Sequence, residues 1–199
     1  IFGTGPALSI ALGGFSSGAV ALVAAALALA TAMQATGLHR RIALNVLKVA
    51  GEKTSHIVAG AIVISIILAF FVPSATARAG AVVPILLGMV AAFGMTVDSK
   101  LSALLVITAV QAVSIWNVGI KTAAAQNLVA IGFIEDQMGQ TVSWGKWFLW
   151  AAPWAVLMSI ALYFIMLAVM KPEVDRIEGG RELVQQQLDE MGPMTGAEK

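Results

Sequence analysis

The sequence predicts an all-α integral membrane protein built around a helical hairpin and a broken transmembrane helix. Three observations carry this. Of 199 residues, 59% are apolar and 12% charged, with a mean hydropathy of +0.88. A soluble domain carries about 45–50% apolar and 25% charged residues, so the polar side chains here are too few to cover a water-facing globule. The apolar residues fall in blocks of roughly membrane-spanning length, and two of those blocks are interrupted near their middle by polar runs. A soluble enzyme and a disordered chain are excluded by the same composition. The net charge of +1 offers no basic field to nucleic acid. With no cysteine and only His39 and His56, disulfides, zinc–thiolate sites and an imidazole metal centre are not expected.

Residues 1–14 read as the end of a preceding element, loosened by Gly3, Gly5, Pro6, Gly13 and Gly14. The chain starts at Ile1 without a basic start, unlike a signal peptide, and the expectation is a piece of a longer membrane protein. Residues 15–53 hold a transmembrane helix and an amphipathic surface helix. Phe15 to Ala35 carries no charge and gives roughly 31 Å of helix, enough for a hydrocarbon core. Leu38 to Lys53 sets Leu38, Ile42, Leu44, Leu47 and Val49 among His39, Arg40, Arg41, Lys48, Glu52 and Lys53, a pattern suited to the membrane surface.

Residues 54–97 form the hairpin, where Arg78 is the one charge between Thr54 and Val97. Pro73 ends the first arm and disfavours helix at Val72, and Ser74 is placed to cap the second. Arms of about 17–19 residues fit either two full spans or a re-entrant hairpin with a buried tip. Residues 98–137 form the broken helix. Leu101 to Ser114 and Leu128 to Ile134 are apolar, and the run between them, Ile115 to Asn127, contains Lys121. Unbroken, that helix measures roughly 51 Å, too long for one untilted span. Residues 143–170 are a long span that starts with Trp144, Trp147, Trp150 and Trp154, an interfacial belt, and ends at Lys171. The tail, 171–199, places Leu183, Val184, Leu188 and Met191 at helical spacing, as a short surface helix leading onward. The basic clusters at 40–53 and 171–181 belong to the cytoplasm and Glu135 and Asp136 to the outside. No repeat of 20–50 residues is present.

Polar chemistry concentrates at the two interruptions. Non-helical backbone at membrane depth is tolerated only against protein or a cavity. Helix N-termini near Ala75 and Ala125 aim positive dipole ends at the site, which suits an anion. Ser74, Thr76 and Thr122 add hydroxyls and Asn127 an amide, and two such discontinuities point to a secondary transporter's binding site. Arg78 has two readings, a side chain snorkelling to an interface and a charge partner of the site. Lys121, deep inside its block, is a functional candidate by default. A hydrolase built on Ser74 fails for want of a base.

These residues resemble a known family. PSATARAGAVVPI is similar to the hairpin-tip motif SNTAT…PI of the divalent anion:sodium symporter family, and in particular to the PSNTARAG form of its citrate/succinate antiporter and plastid oxoglutarate/malate translocator branch. TGLHRRIAL resembles the segment entering that family's surface helix, SIWNVGIKTAAAQN its broken helix, and ELVQQQLDEMGPMTGAEK the connection between its two inverted repeats. The resemblance implies one inverted-repeat half, N-terminal, with a re-entrant hairpin and a broken helix. It implies elevator-type transport of dicarboxylates, tricarboxylates such as citrate, or sulfate, sodium-coupled or by exchange. It further implies a homodimer in a bacterial inner membrane, a second half of the same polypeptide beyond residue 199, and Na+ as a coupling ion. Carried over by position, Ser74, Ala75 and Thr76 with Thr122 and Asn127 fall at the substrate, and Ser74, Ala75 and Ala123 at the ion.

The departures from the family pattern matter. Ala75 stands where the family has Asn, and Ala123 to Gln126 replace a Gly-Thr-Pro-Pro run. Alanine offers a cation only its backbone carbonyl. The expectation is that Lys121, with Arg78, partly replaces sodium as counter-charge. The alternatives are a related oxyanion efflux carrier and a membrane scaffold subunit without transport of its own; a desolvated lysine has no use in the latter.

Overall fold

The structure, a computed structural model, describes residues 12, 13, 15 and 18–194. The expectations for residues 1–11 and for the last five residues lie outside this range. Among the described residues run eight α-helices: α1 (Gly18–Thr36), α2 (Leu38–Ala50), α3 (Thr54–Phe71), α4 (Ala75–Ala92), α5 (Lys100–Gly119), α6 (Ala125–Met138), α7 (Trp144–Val169) and α8 (Gly180–Glu190). A single 3-10 turn, Lys121–Ala123, separates α5 from α6. Among these residues no strand forms, and extended pairing is confined to one antiparallel bridge between Lys53 and Arg176. Helices α3, α4, α5 and α7 are long and apolar enough to cross a membrane. The protein is an all-α, multi-pass membrane protein.

Local chemistry explains the helix boundaries. Pro73 has no N–H to continue α3, and Val72 before it is extended, at φ −114° and ψ 100°. Ser74 then caps α4, its Oγ accepting from the Ala77 N–H at 3.3 Å. Ser99 caps α5 and Ser143 caps α7 in the same way, at 3.1 and 3.2 Å. Between α1 and α2 the backbone turns at Gly37, whose φ of 74° is left-handed and favours glycine. His39 lies beneath that turn, with Nδ1 2.7 Å from the Met33 carbonyl of α1.

Helix α5 runs through the centre, packed against α3, α4 and α7. Its Leu101, Leu104 and Leu105 join Ile57, Ile64 and Leu68 of α3, Leu86 and Met89 of α4, and Leu44 and Leu47 of α2 in one fully buried core. A second, smaller core gathers Trp116, Ile120 and Ala123 around Ala69 of α3 and Ala155 of α7. The contact of α5 with α7 is close. A Cβ on Gly119 would stand 2.9 Å from the Ala155 Cβ, nearer than real Cβ atoms approach one another. One turn earlier the Trp116 indole N–H donates to Ser159 Oγ at 2.9 Å, and Ser159 in turn donates to the Ala155 carbonyl at 2.8 Å. Buried tryptophan needs such a partner for its N–H.

The end of the bundle remote from the hairpin tip is tied together by the tail. The Thr54 N–H donates to the Asp175 carbonyl at 2.9 Å and the Ile177 N–H to the Glu52 carbonyl at 2.8 Å. Thr54 Oγ1 donates to the Val174 carbonyl at 2.7 Å. Helix α8 then lies across α2 and α4. Arg41 donates to the carbonyls of Gly192 and Met191 at its C-terminal end, at 2.8 and 3.3 Å, where a cation also meets the negative pole of the helix.

Candidate functional site

The hairpin tip and the helix break meet, and Arg78 joins them. In the first turn of α4 its side chain is fully buried, which excludes the snorkelling reading. Its Nε donates to the Ser74 carbonyl at 3.4 Å and its Nη2 to the Ala123 carbonyl at 3.2 Å. Nη2 also donates to Asn117 Oδ1, in the last turn of α5. Among the described residues no carboxylate pairs with this guanidinium, and its Nη1 is the one buried side-chain polar atom without a hydrogen-bond partner. A buried charge without a counter-ion costs several kcal/mol, and an unmade hydrogen bond about 1–3 more. A cation kept so in an apolar protein is a candidate functional position by default.

The break itself is held from three sides. Asn127, buried in the first turn of α6, donates through Nδ2 to the Asn117 carbonyl at 2.5 Å and the Ile120 carbonyl at 3.1 Å. These belong to the carbonyls that α5 leaves unpaired at its C-terminal end. The Trp147 indole N–H donates to the Val118 carbonyl at 2.9 Å. Lys121 Nζ donates to the Val142 carbonyl, in the loop before α7, at 2.6 Å. The same end of α7 stacks Trp144 on Phe148, centroids 5.2 Å apart, and sets both rings about Phe70 of α3, at 6.2 and 6.1 Å. Trp147 is therefore tied to the break rather than serving only as a membrane anchor, while Trp150 and Trp154 are exposed as an interfacial belt requires.

The residues singled out in the sequence distribute as follows. Ser74, Arg78 and Ala123 come together directly, and Asn127 joins them through Asn117. Ala75, Thr122 and Lys121 are half-buried, with the lysine ammonium aimed at the Val142 loop. Thr76 is exposed and, together with Ala75, lines a groove of about 540 Å³ between α4 and α5, with Ala79, Val83, Val110 and Ser114. Asn117, Trp147 and Val142 complete the arrangement. Asn117 had a signal in the sequence, a lone amide one turn before the break. The partnership of Trp147 with a backbone carbonyl had none.

Three oxygens at this tip accept hydrogen bonds from the protein. The Ser74 carbonyl accepts from the Arg78 N–H at 3.1 Å as well as from its side chain. Ser74 Oγ is committed to the helix cap and the Ala123 carbonyl to Nη2, and Ala75 has no side-chain oxygen. A fixed cation with a free donor thus stands among these oxygens.

The family model of the sodium:sulfate symporter transmembrane region matches residues 2–199. The chain belongs to this family, the divalent anion:sodium symporters. Its members are membrane transporters and not enzymes. A membrane protein of Cupriavidus necator is 50% identical over 198 residues, which cover 100% of this chain and 39% of that protein. The citrate/succinate antiporter of Escherichia coli is 32% identical over 197 residues, covering 96% of this chain and 40% of the antiporter. The L-tartrate/succinate antiporter of Escherichia coli is 29% identical over 201 residues, at 98% and 41%. The chain thus spans about two fifths of the length of these symporter-family relatives. With bacterial relatives and four apolar spans, it is a multi-pass protein of the inner membrane.

Proposed function

We propose that this protein carries small divalent anions across the membrane, dicarboxylates and tricarboxylates first among them, by exchanging one for another, with Arg78 as the fixed counter-charge. One observation carries the reading: a fully buried guanidinium that joins hairpin tip to helix break and keeps Nη1 unpartnered. An anion arriving at the junction gains a charge-assisted hydrogen bond and relieves a buried cation at once. Helices α4 and α6 begin at this junction and add their positive ends.

The same contacts support exchange rather than sodium symport. A sodium ion at this tip would share the Ser74 and Ala123 carbonyls with the Arg78 guanidinium, whose positive charge repels it. A carrier with a built-in cation is costly to move empty and easier to move loaded, which favours obligatory exchange. The citrate/succinate and tartrate/succinate antiporters among the relatives support this choice. The ties from Arg78 to both interruptions support an elevator-type motion in which hairpin and broken helix travel as one body. Substrate binding by Ser74, Thr122 and the α6 N-terminus belongs to the same proposal, and the remaining half of the binding site is supplied from outside this chain.

The test is uptake of labelled succinate into proteoliposomes that hold the intact protein, with and without sodium and with and without internal dicarboxylate. Sodium-independent uptake that requires internal dicarboxylate is the expected result. Sodium-stimulated uptake into empty vesicles contradicts it.

A further inference from the structure

At the end of the bundle away from the hairpin tip, three cavities adjoin along one face of α3. The first, of about 900 Å³, is charged. Lys53, His56 and Arg181 line it together with Asp175 and Glu182, while Glu52 lies 3.6 Å from Arg176. The second, of about 490 Å³, shares Ala50 and His56 with the first and is otherwise lined mainly by Val46, Val49, Ala59 and Val63. The third, of about 300 Å³, shares Ala59 and Val63 with the second and continues past Ile66 to Val156 and Ile160 of α7. Beside the track Gly60 lets α2 close on α3: a Cβ there would meet the Ala50 Cβ at 3.1 Å. Val49, on the amphipathic helix α2, is 88% exposed and Val63 is 42% exposed.

The dimensions decide the occupant. His56, Ala59, Val63 and Ile66 recur at helical spacing over ten residues of α3, about 15 Å of rise. That is half of a hydrocarbon core about 30 Å thick, the depth of one leaflet. The charged cavity sits where α3 and α7 leave the apolar zone, at the interface. Its unpaired charges are of both signs, which matches a head group that carries a phosphate and an ammonium together.

We infer that this track is a binding site for an aminophospholipid of the phosphatidylethanolamine class. Lys53 and Arg181 receive the phosphate, Asp175 and Glu182 receive the ammonium, and one acyl chain lies along α3 from Ala59 to Ile66. A docked lipid therefore bridges the surface helix α2, the first hairpin arm and the tail segment that leads into α8. This inference needs only the membrane character of the fold and stands apart from the transport proposal.

The test is native mass spectrometry of the intact protein released from vesicles of equal phosphatidylethanolamine and phosphatidylglycerol. The wild type is expected to retain phosphatidylethanolamine selectively. Ala59→Phe, which fills the groove, reduces that retention about tenfold. An Asp175→Asn, Glu182→Gln double variant changes exposed side chains only, keeps the fold by circular dichroism, and loses the preference between the two lipids. The inference is overturned by a wild type that retains neither lipid or both equally, by unchanged retention in either variant, or by displacement of the lipid with soluble glycerophosphoethanolamine, which lacks acyl chains.

Discussion

Arg78 and Asn117 stand 39 positions apart and are joined by a hydrogen bond, the guanidinium Nη2 donating to the amide oxygen. Asn117 is bound a second time through its backbone carbonyl, which accepts from Asn127. One connected chain of hydrogen bonds thus runs from the hairpin tip through the end of α5 to the start of α6. The two interruptions are parts of a single structure, and the position of either depends on the other.

Asn127 is the keystone of that chain on the α6 side. Asn127→Ala leaves the carbonyls of Asn117 and Ile120 without their donor and is expected to lower stability by about 1–3 kcal/mol, read as a lowered melting temperature of the purified protein. Asn127→Asp, ionised, turns a donor into an acceptor facing two carbonyls and is expected to be worse than alanine. Equal melting temperatures for the wild type and both variants would remove Asn127 from this role.

Gly119 is defined by space. Its φ is not left-handed, so the cost of Gly119→Ala is steric: the added methyl meets Ala155 Cβ and the Trp116 ring, each at 2.9 Å. Overpacking of this kind costs about 1–3 kcal/mol. A smaller partner cannot be made without glycine, so Ala155→Gly in the Gly119→Ala background is expected to recover part of the loss. A double variant no more stable than Gly119→Ala contradicts the contact.

Ala75 tests the sodium argument from the opposite direction. Ala75→Asn supplies a side-chain oxygen at the tip, but the Ser74 and Ala123 carbonyls stay with Arg78. Exchange by Ala75→Asn is therefore expected to remain insensitive to sodium. Sodium stimulation is expected only when Arg78→Ala is combined with it. Sodium stimulation of the single variant would show that Arg78 does not hold those oxygens.

Much of the fold was legible because its signals are local. Pro73 and Ser74 mark the tip, and α4 begins at Ala75; a polar run after apolar residues marks the break, and α6 begins at Ala125. The extent of the break was less legible. The sequence reads as interrupted from Ile115, yet α5 stays helical to Gly119, because Trp116 buries its ring and pairs its N–H with Ser159, a partner 43 positions away. Tertiary packing there outweighs the polar composition. In the site, composition drew attention to Lys121, the charge deepest within its block. It could not show that a long flexible side chain reaches Val142, nor that Arg78, near a proline turn, folds back into the core. Side-chain direction depends on which helices cross, and no spacing along one chain encodes it.

The most direct test compares Arg78→Met with Lys121→Met, as labelled-succinate exchange by the intact protein in sodium-free proteoliposomes, with melting temperatures as a control for folding. Losing the charged partner of a buried anion costs about 2–5 kcal/mol. Arg78→Met is therefore expected to lose exchange by about thirtyfold or more. Lys121→Met, which gives up one contact to a loop carbonyl, is expected to stay within about fivefold of wild type. A folded Arg78→Met that exchanges as well as the wild type, or a Lys121→Met that is the inactive one, would contradict the assignment of the counter-charge to Arg78.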